Sequence, residues 1–137
     1  VRMGDPECQV ILPRLNEDLL KIIIKSLNNK LNKIKIKWKK IKCMTMVLCS
    51  KWYPGKYKKN DITNNLKKIK SRKNSFIFHA GTKLINNKVI AVGGRVLNIS
   101  STGRSFKIIR SKILTIIKKI NWENGFFRKD IGSKVIK

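Results

Sequence analysis

Two stretches of helical apolar spacing, set at either end of a middle full of turn signals, constrain this chain most. Leu19, Leu20, Ile23, Ile24 and Leu27 recur at the period of a helix, and Asn28-Asn29 ends the run. Asn16 is read as its N-cap, with Glu17 and Asp18 placing negative charge on the first turn. Phe106, Ile109, Ile113, Ile116, Ile117 and Ile120 form a second apolar stripe behind Ser105, a candidate cap. Between the stripes, Tyr53-Pro54-Gly55, Ala80-Gly81-Thr82-Lys83, Asn86-Asn87 and Gly93-Gly94 divide the chain into short runs. Lys33–Lys37 alternates with period two, and Cys43–Cys49 is nearly all apolar. With Ser75–His79, Val89–Val92 and Arg95–Ile99, these runs predict strands, while the polar, basic stretch Asn64–Arg72 predicts a short helix. Residues 1–15 are irregular, and the tail around Phe126-Phe127 is too aromatic for disorder. No internal repeat is visible. The order helix, short strands, helix, tail implies an α+β fold: a small, mostly antiparallel sheet with helices packed on one side.

At 137 residues the chain has room for one domain, or one small domain plus part of another. Thirty-three basic residues against seven acidic ones give a net charge of +26, which by itself suggests a polyanion partner. Lys, Ile and Asn, however, account for 60 residues, and all three are encoded by A/T-rich codons, so base composition explains much of the charge. No apolar run reaches the roughly 18 residues of a membrane span. No basic, then apolar, leader follows Val1. Cys8, Cys43 and Cys49 are odd in number and lack metal-ligand spacing, and His79 is the single histidine. A soluble, cytoplasmic protein is expected, with no membrane contact. The abrupt start at Val1-Arg2-Met3-Gly4 reads as the interior of something longer.

Three segments pair glycine with charge, the combination that lets backbone N–H groups and cationic side chains meet an anion. They are Arg2-x-Gly4-Asp5-Pro6-Glu7, His79-Ala80-Gly81-Thr82-Lys83 and Gly93-Gly94-Arg95. Each alone is equally a turn beside a surface charge. In order, and joined by Tyr53-Pro54-Gly55-x-Tyr57 and Arg128-Lys129-Asp130-Ile131-Gly132, they resemble the C-terminal part of the phosphoribosylamine–glycine ligases. These glycinamide ribonucleotide synthetases belong to the ATP-grasp superfamily, and the resemblance covers residues 1–132.

The resemblance implies a fold like the C-terminal domain of ATP-grasp ligases, the rudimentary hybrid motif. Residues 1–30 would be the end of the ATP-grasp domain and a connecting helix, and residues 31–137 the C-terminal domain. It also implies a purine-biosynthesis reaction of glycine, 5-phosphoribosylamine and ATP, with Mg2+ or Mn2+. Arg2 and Asp5 become the candidate catalytic residues, Arg2 facing phosphate and Asp5 the glycine ammonium. Glu7 is read as structural. Lys83, Gly93, Gly94 and Arg95 become candidates for holding the substrate's 5-phosphate, and His79 ranks below them. The family's metal-binding Glu-x-Asn would fall just before Val1. No metal ligand is therefore expected here, and neither ATP nor metal should bind this chain alone. An N-terminal ATP-grasp region, in cis or in trans, would supply the rest. Met3 and Ser133 stand where the family usually has Phe and Trp. The competing reading is a small basic nucleic-acid-binding protein, with Trp38, Trp52, Tyr53 and Tyr57 set among lysines for base stacking.

Overall fold

The structure, a computed structural model, describes residues 2–63, 65, 66, 69 and 73–136. A short helix α1 (Cys8–Ile11) and a 3-10 turn precede α2 (Leu19–Leu27). The strands β1 (Lys42–Ser50), β2 (Asp61–Ile62), β3 (Ser75–His79), β4 (Thr82–Ile85), β5 (Lys88–Ala91) and β6 (Arg95–Gly103) follow. Helix α3 (Phe106–Ile120) and the short β7 (Gly125–Phe126) close the fold. Among the described residues all strand pairings are antiparallel, in a four-stranded sheet ordered β3-β6-β1-β7 and a three-stranded sheet ordered β2-β5-β4. The α+β expectation therefore holds. Asn86 and Asn87, at φ 47° and 61°, make the turn between β4 and β5, since Asn tolerates the left-handed region that tight hairpins require.

The core forms where the 3.6 period of α3 meets the period of two in β1. Ile109, Ile113, Ile116 and Ile120 are buried on one face of α3 and join Met44, Met46 and Leu48, alternate residues of β1, with Leu97 and Ile99 of β6. Burying each such side chain contributes roughly 1.5–3 kcal/mol. The intervening residues of β1, Thr45, Val47 and Cys49, lie on the opposite face, where Thr45 faces Ser100 and Val47 faces Asn98 of β6. Ser100 Oγ donates to Thr45 Oγ1 at 2.9 Å, so these two hydroxyls are paired within the sheet. α1 also lies here, with Cys43 Sγ donating to the Gln9 carbonyl.

Several local expectations are corrected. The cap of α2 is Asp18, whose carboxylate accepts from the N–H groups of Leu20 and Lys21; Asn16 instead donates its backbone N–H to the Lys37 carbonyl. Lys33–Lys37 is not a strand: its beginning lies in a 3-10 turn, and Trp38 makes an isolated bridge to Leu15. The end of this segment pairs only with the residues around Leu15, through the Asn16 N–H to the Lys37 carbonyl and the Lys39 N–H to the Arg14 carbonyl, too short a pairing to make a strand among the described residues. Thr82 and Lys83 open β4 rather than closing β3. β6 runs on to Gly103, beyond Ile99. Ser105 occupies the N-cap of α3 without a side-chain cap hydrogen bond. Most of Asn64–Arg72, including both its ends, falls outside the described residues. The aromatic tail is ordered: Phe127, Ile131 and Ile136 pack on the core, and Arg110 donates to the Lys129 and Ile131 carbonyls.

Candidate anion site

Asp5 is the centre of the site. Its Oδ2 lies 3.2 Å from Arg95 Nε, and its Oδ1 accepts from Asn98 Nδ2 and from Gln9 Nε2, each at 2.9 Å. The Asp5 and Arg95 side chains are 34% and 46% exposed, so their ion pair alone contributes only about 0–1 kcal/mol. What matters is placement. The pair joins the N-terminal Gly-Asp-Pro-Glu turn to the first residue of β6, drawing together two of the three glycine-and-charge segments.

The third segment arrives through backbone packing. A Cβ on Gly81 would stand 2.7 Å from both Gly93 Cα and the Arg95 carbonyl, so the two glycines let the β3–β4 and β5–β6 connections touch. Gly81 N–H donates to the Arg95 carbonyl at 2.9 Å. Gly93 accepts from Ser50 Oγ at 2.8 Å, and its neighbour Gly94 lies under the Tyr53 ring, which any Cβ there would strike. Both glycines therefore have packing reasons of their own.

The other candidates sit differently. Lys83 is exposed on β4, opposite Ile90, in the three-stranded sheet, and no bond joins it to Arg95 among the described residues. Arg2 is exposed on the N-terminal turn and likewise has no polar partner among them. The Glu7 side chain folds against Gly4, which fits a structural part. His79 Nδ1 shares a 3.0 Å hydrogen bond with Thr82 Oγ1 at the β3–β4 corner.

A mostly apolar cavity of about 410 Å³ adjoins the cluster, lined by Pro6, Val47, Cys49, Tyr53, Phe126 and Ile131 among others. The Tyr53-Pro54 turn and the tail thus share one wall with the N-terminal turn. Burial raises the Cys49 thiol pKa, with Arg95 opposing and Asp5 reinforcing the shift. Among the described residues, no three His, Cys, Asp or Glu side chains converge to hold a metal. No helix among them is long and apolar enough to cross a membrane.

Sequence reasoning missed Asn98 as a site residue. Its signal was a polar side chain inside the apolar run Val96-Leu97-Asn98-Ile99, in a strand where burial must be compensated. Gln9, two residues beyond the Gly4-Asp5-Pro6-Glu7 turn, carries no such signal in the sequence. Tyr53, a base-stacking candidate by its lysine-rich surroundings, packs its ring on Gly94 and edge-on to Tyr57.

Fold and site together define an α+β domain whose two sheets meet at a glycine–arginine turn tied to an acidic N-terminal loop. The family described as "Phosphoribosylglycinamide synthetase, C domain" matches residues 43–134, and the chain belongs to that family. Phosphoribosylamine–glycine ligase of Agrobacterium fabrum is 41% identical over 99% of this chain and 32% of its own length. The chloroplastic enzyme of Arabidopsis thaliana is 38% identical over 100% of this chain and 26% of its own length. The crystal structure of phosphoribosylamine–glycine ligase from Thermotoga maritima superposes with a TM-score of 0.70 at 25% identity, covering 96% of this chain and 32% of that one. The chain therefore spans a third or less of the length of these relatives and matches their C-terminal part.

Proposed function

We propose that this chain is the C-terminal portion of an ATP-dependent ligase of purine biosynthesis that joins glycine to 5-phosphoribosylamine. In that reaction a glycine carboxylate oxygen attacks the γ-phosphorus of ATP and ADP leaves. The phosphoribosylamine nitrogen then attacks the carbonyl carbon of glycyl phosphate, and phosphate leaves with glycinamide ribonucleotide formed. An ATP-grasp region, in cis or in trans, supplies the nucleotide and the Mg2+ or Mn2+ chemistry, in the cytoplasm. Residues 1–30 belong with that region and 31–137 form the C-terminal domain, a division supported by a family match confined to residues 43–134.

The observation that carries this reading is the Asp5–Arg95 pair. Arg95 engages Asp5 through Nε, and its terminal nitrogens have no partner among the described residues, so they are available to the substrate 5-phosphate. Lys83, on the strand that follows Gly81, adds positive charge to the same anion. Arg2 faces the glycyl phosphate. Three donors occupy Asp5, and a carboxylate accepts about four, leaving one position for the glycine ammonium.

The test mixes this chain with the N-terminal two-thirds of a ligase relative and follows ADP release. Release should require both pieces, glycine and phosphoribosylamine. Arg95→Ala should raise KM for phosphoribosylamine roughly tenfold or more, the cost of a lost charge-assisted contact. No ADP on mixing, or an unchanged KM, would overturn the proposal.

A further inference from the structure

Asn98 is fully buried in the middle of β6, between Leu97 and Ile99, and pairs across the sheet with Val47 and Phe78. An amide in such a place is expensive unless satisfied, since an unpaired buried polar group costs about 1–3 kcal/mol. Asn98 nonetheless directs its donor at Asp5 Oδ1 and leaves its own Oδ1 without a partner among the described residues. Gln9 repeats the pattern, with Nε2 on the same oxygen and a buried, unpartnered Oε1. Reversing either amide would set a carbonyl against a carboxylate, so charge determines both orientations. Two amides thus hold one carboxylate oxygen in place, and the other oxygen holds Arg95.

We infer that Asn98 is a positioning residue: through Asp5 it sets the direction in which Arg95 presents its terminal guanidinium nitrogens to an anion. The inference builds on the phosphate-binding reading of Arg95 but is testable without it. An arginine held by Nε alone can swing about that bond if its carboxylate is loose. Clamping Asp5 from the sheet interior removes that freedom before ligand arrives, and preorganisation of this kind strengthens binding by reducing the ordering cost.

The experiment uses the full 137-residue chain, 15N-labelled. The Arg95 Nε–H resonance is assigned by its absence in Arg95→Lys, and ribose 5-phosphate is titrated as the probe. Asn98→Leu keeps the branched shape while removing the donor, although it adds volume at a fully buried position. It should speed exchange of the Arg95 Nε–H and weaken ribose 5-phosphate binding, each roughly tenfold. If Asn98→Leu fails to fold, Asn98→Ser, whose hydroxyl is too short to reach Asp5, answers the same question. Unchanged exchange in the folded variant overturns the inference. Faster exchange in the variant, together with a wild-type chain that does not bind ribose 5-phosphate, would support the positioning role and overturn the phosphate reading.

Discussion

At the scale of single residues, the site depends as much on missing side chains as on charged ones. Gly94→Ala would drive a methyl group into the Tyr53 ring, and overpacking of that kind costs about 1–3 kcal/mol. A lower melting temperature by calorimetry, with Tyr53 fluorescence perturbed, is the expected outcome. Cys49 offers a second check. Its folded-state thiol pKa is raised, chiefly by burial, so alkylation by iodoacetamide should follow a pH profile displaced upward from that of the same thiol in the urea-unfolded chain. Linkage has the matching sign: as pH rises past the unfolded thiol's pKa, the unfolded chain loses its proton first, and stability falls. Cys43, also raised by burial, adds to the same slope.

At the scale of elements, α2 stands apart. Asp18 caps it, and Asp18→Ala should cost its helicity about 1 kcal/mol, readable by circular dichroism. Yet no residue of α2 is buried, and Leu20 and Leu27 are 62% and 78% exposed. The apolar stripe that made this helix legible in the sequence has nothing to cover it among the described residues. Leu27→Lys should therefore leave the melting temperature of this chain unchanged within about 0.5 kcal/mol of stability. The same change should weaken association with the N-terminal ligase region, measured by sedimentation of the mixture, if that region packs on this face. The α3 stripe behaves differently because β1 and β6 meet it.

At the scale of the whole molecule, a charge of +26 sets up a field that attracts any polyanion. Any binding to a single-stranded oligonucleotide should be indifferent to sequence and fall steeply between low and physiological salt, as fluorescence anisotropy would show. The structure leaves Trp52 71% exposed beside Lys51 but commits Tyr53 to packing on Gly94, so the aromatic set does not form one stacking surface. Much of the fold was legible. Apolar periods located α2, α3, β1 and β3, and Asn86-Asn87 located a hairpin, because period and turn chemistry are local properties of the chain. Local signals could not separate Asn16 from Asp18 as a cap, nor tell that Lys33–Lys37 lacked a strand partner. The site was legible only as motifs. Residues 5 and 9 lie about ninety positions from 95 and 98, and nothing local brings the two pairs together. Local periods and turns were enough for α2, α3, most strands and the α+β class; that Asp5 meets Arg95 and Asn98 depends on β6 pairing and the return of the N-terminal turn, which are long-range contacts.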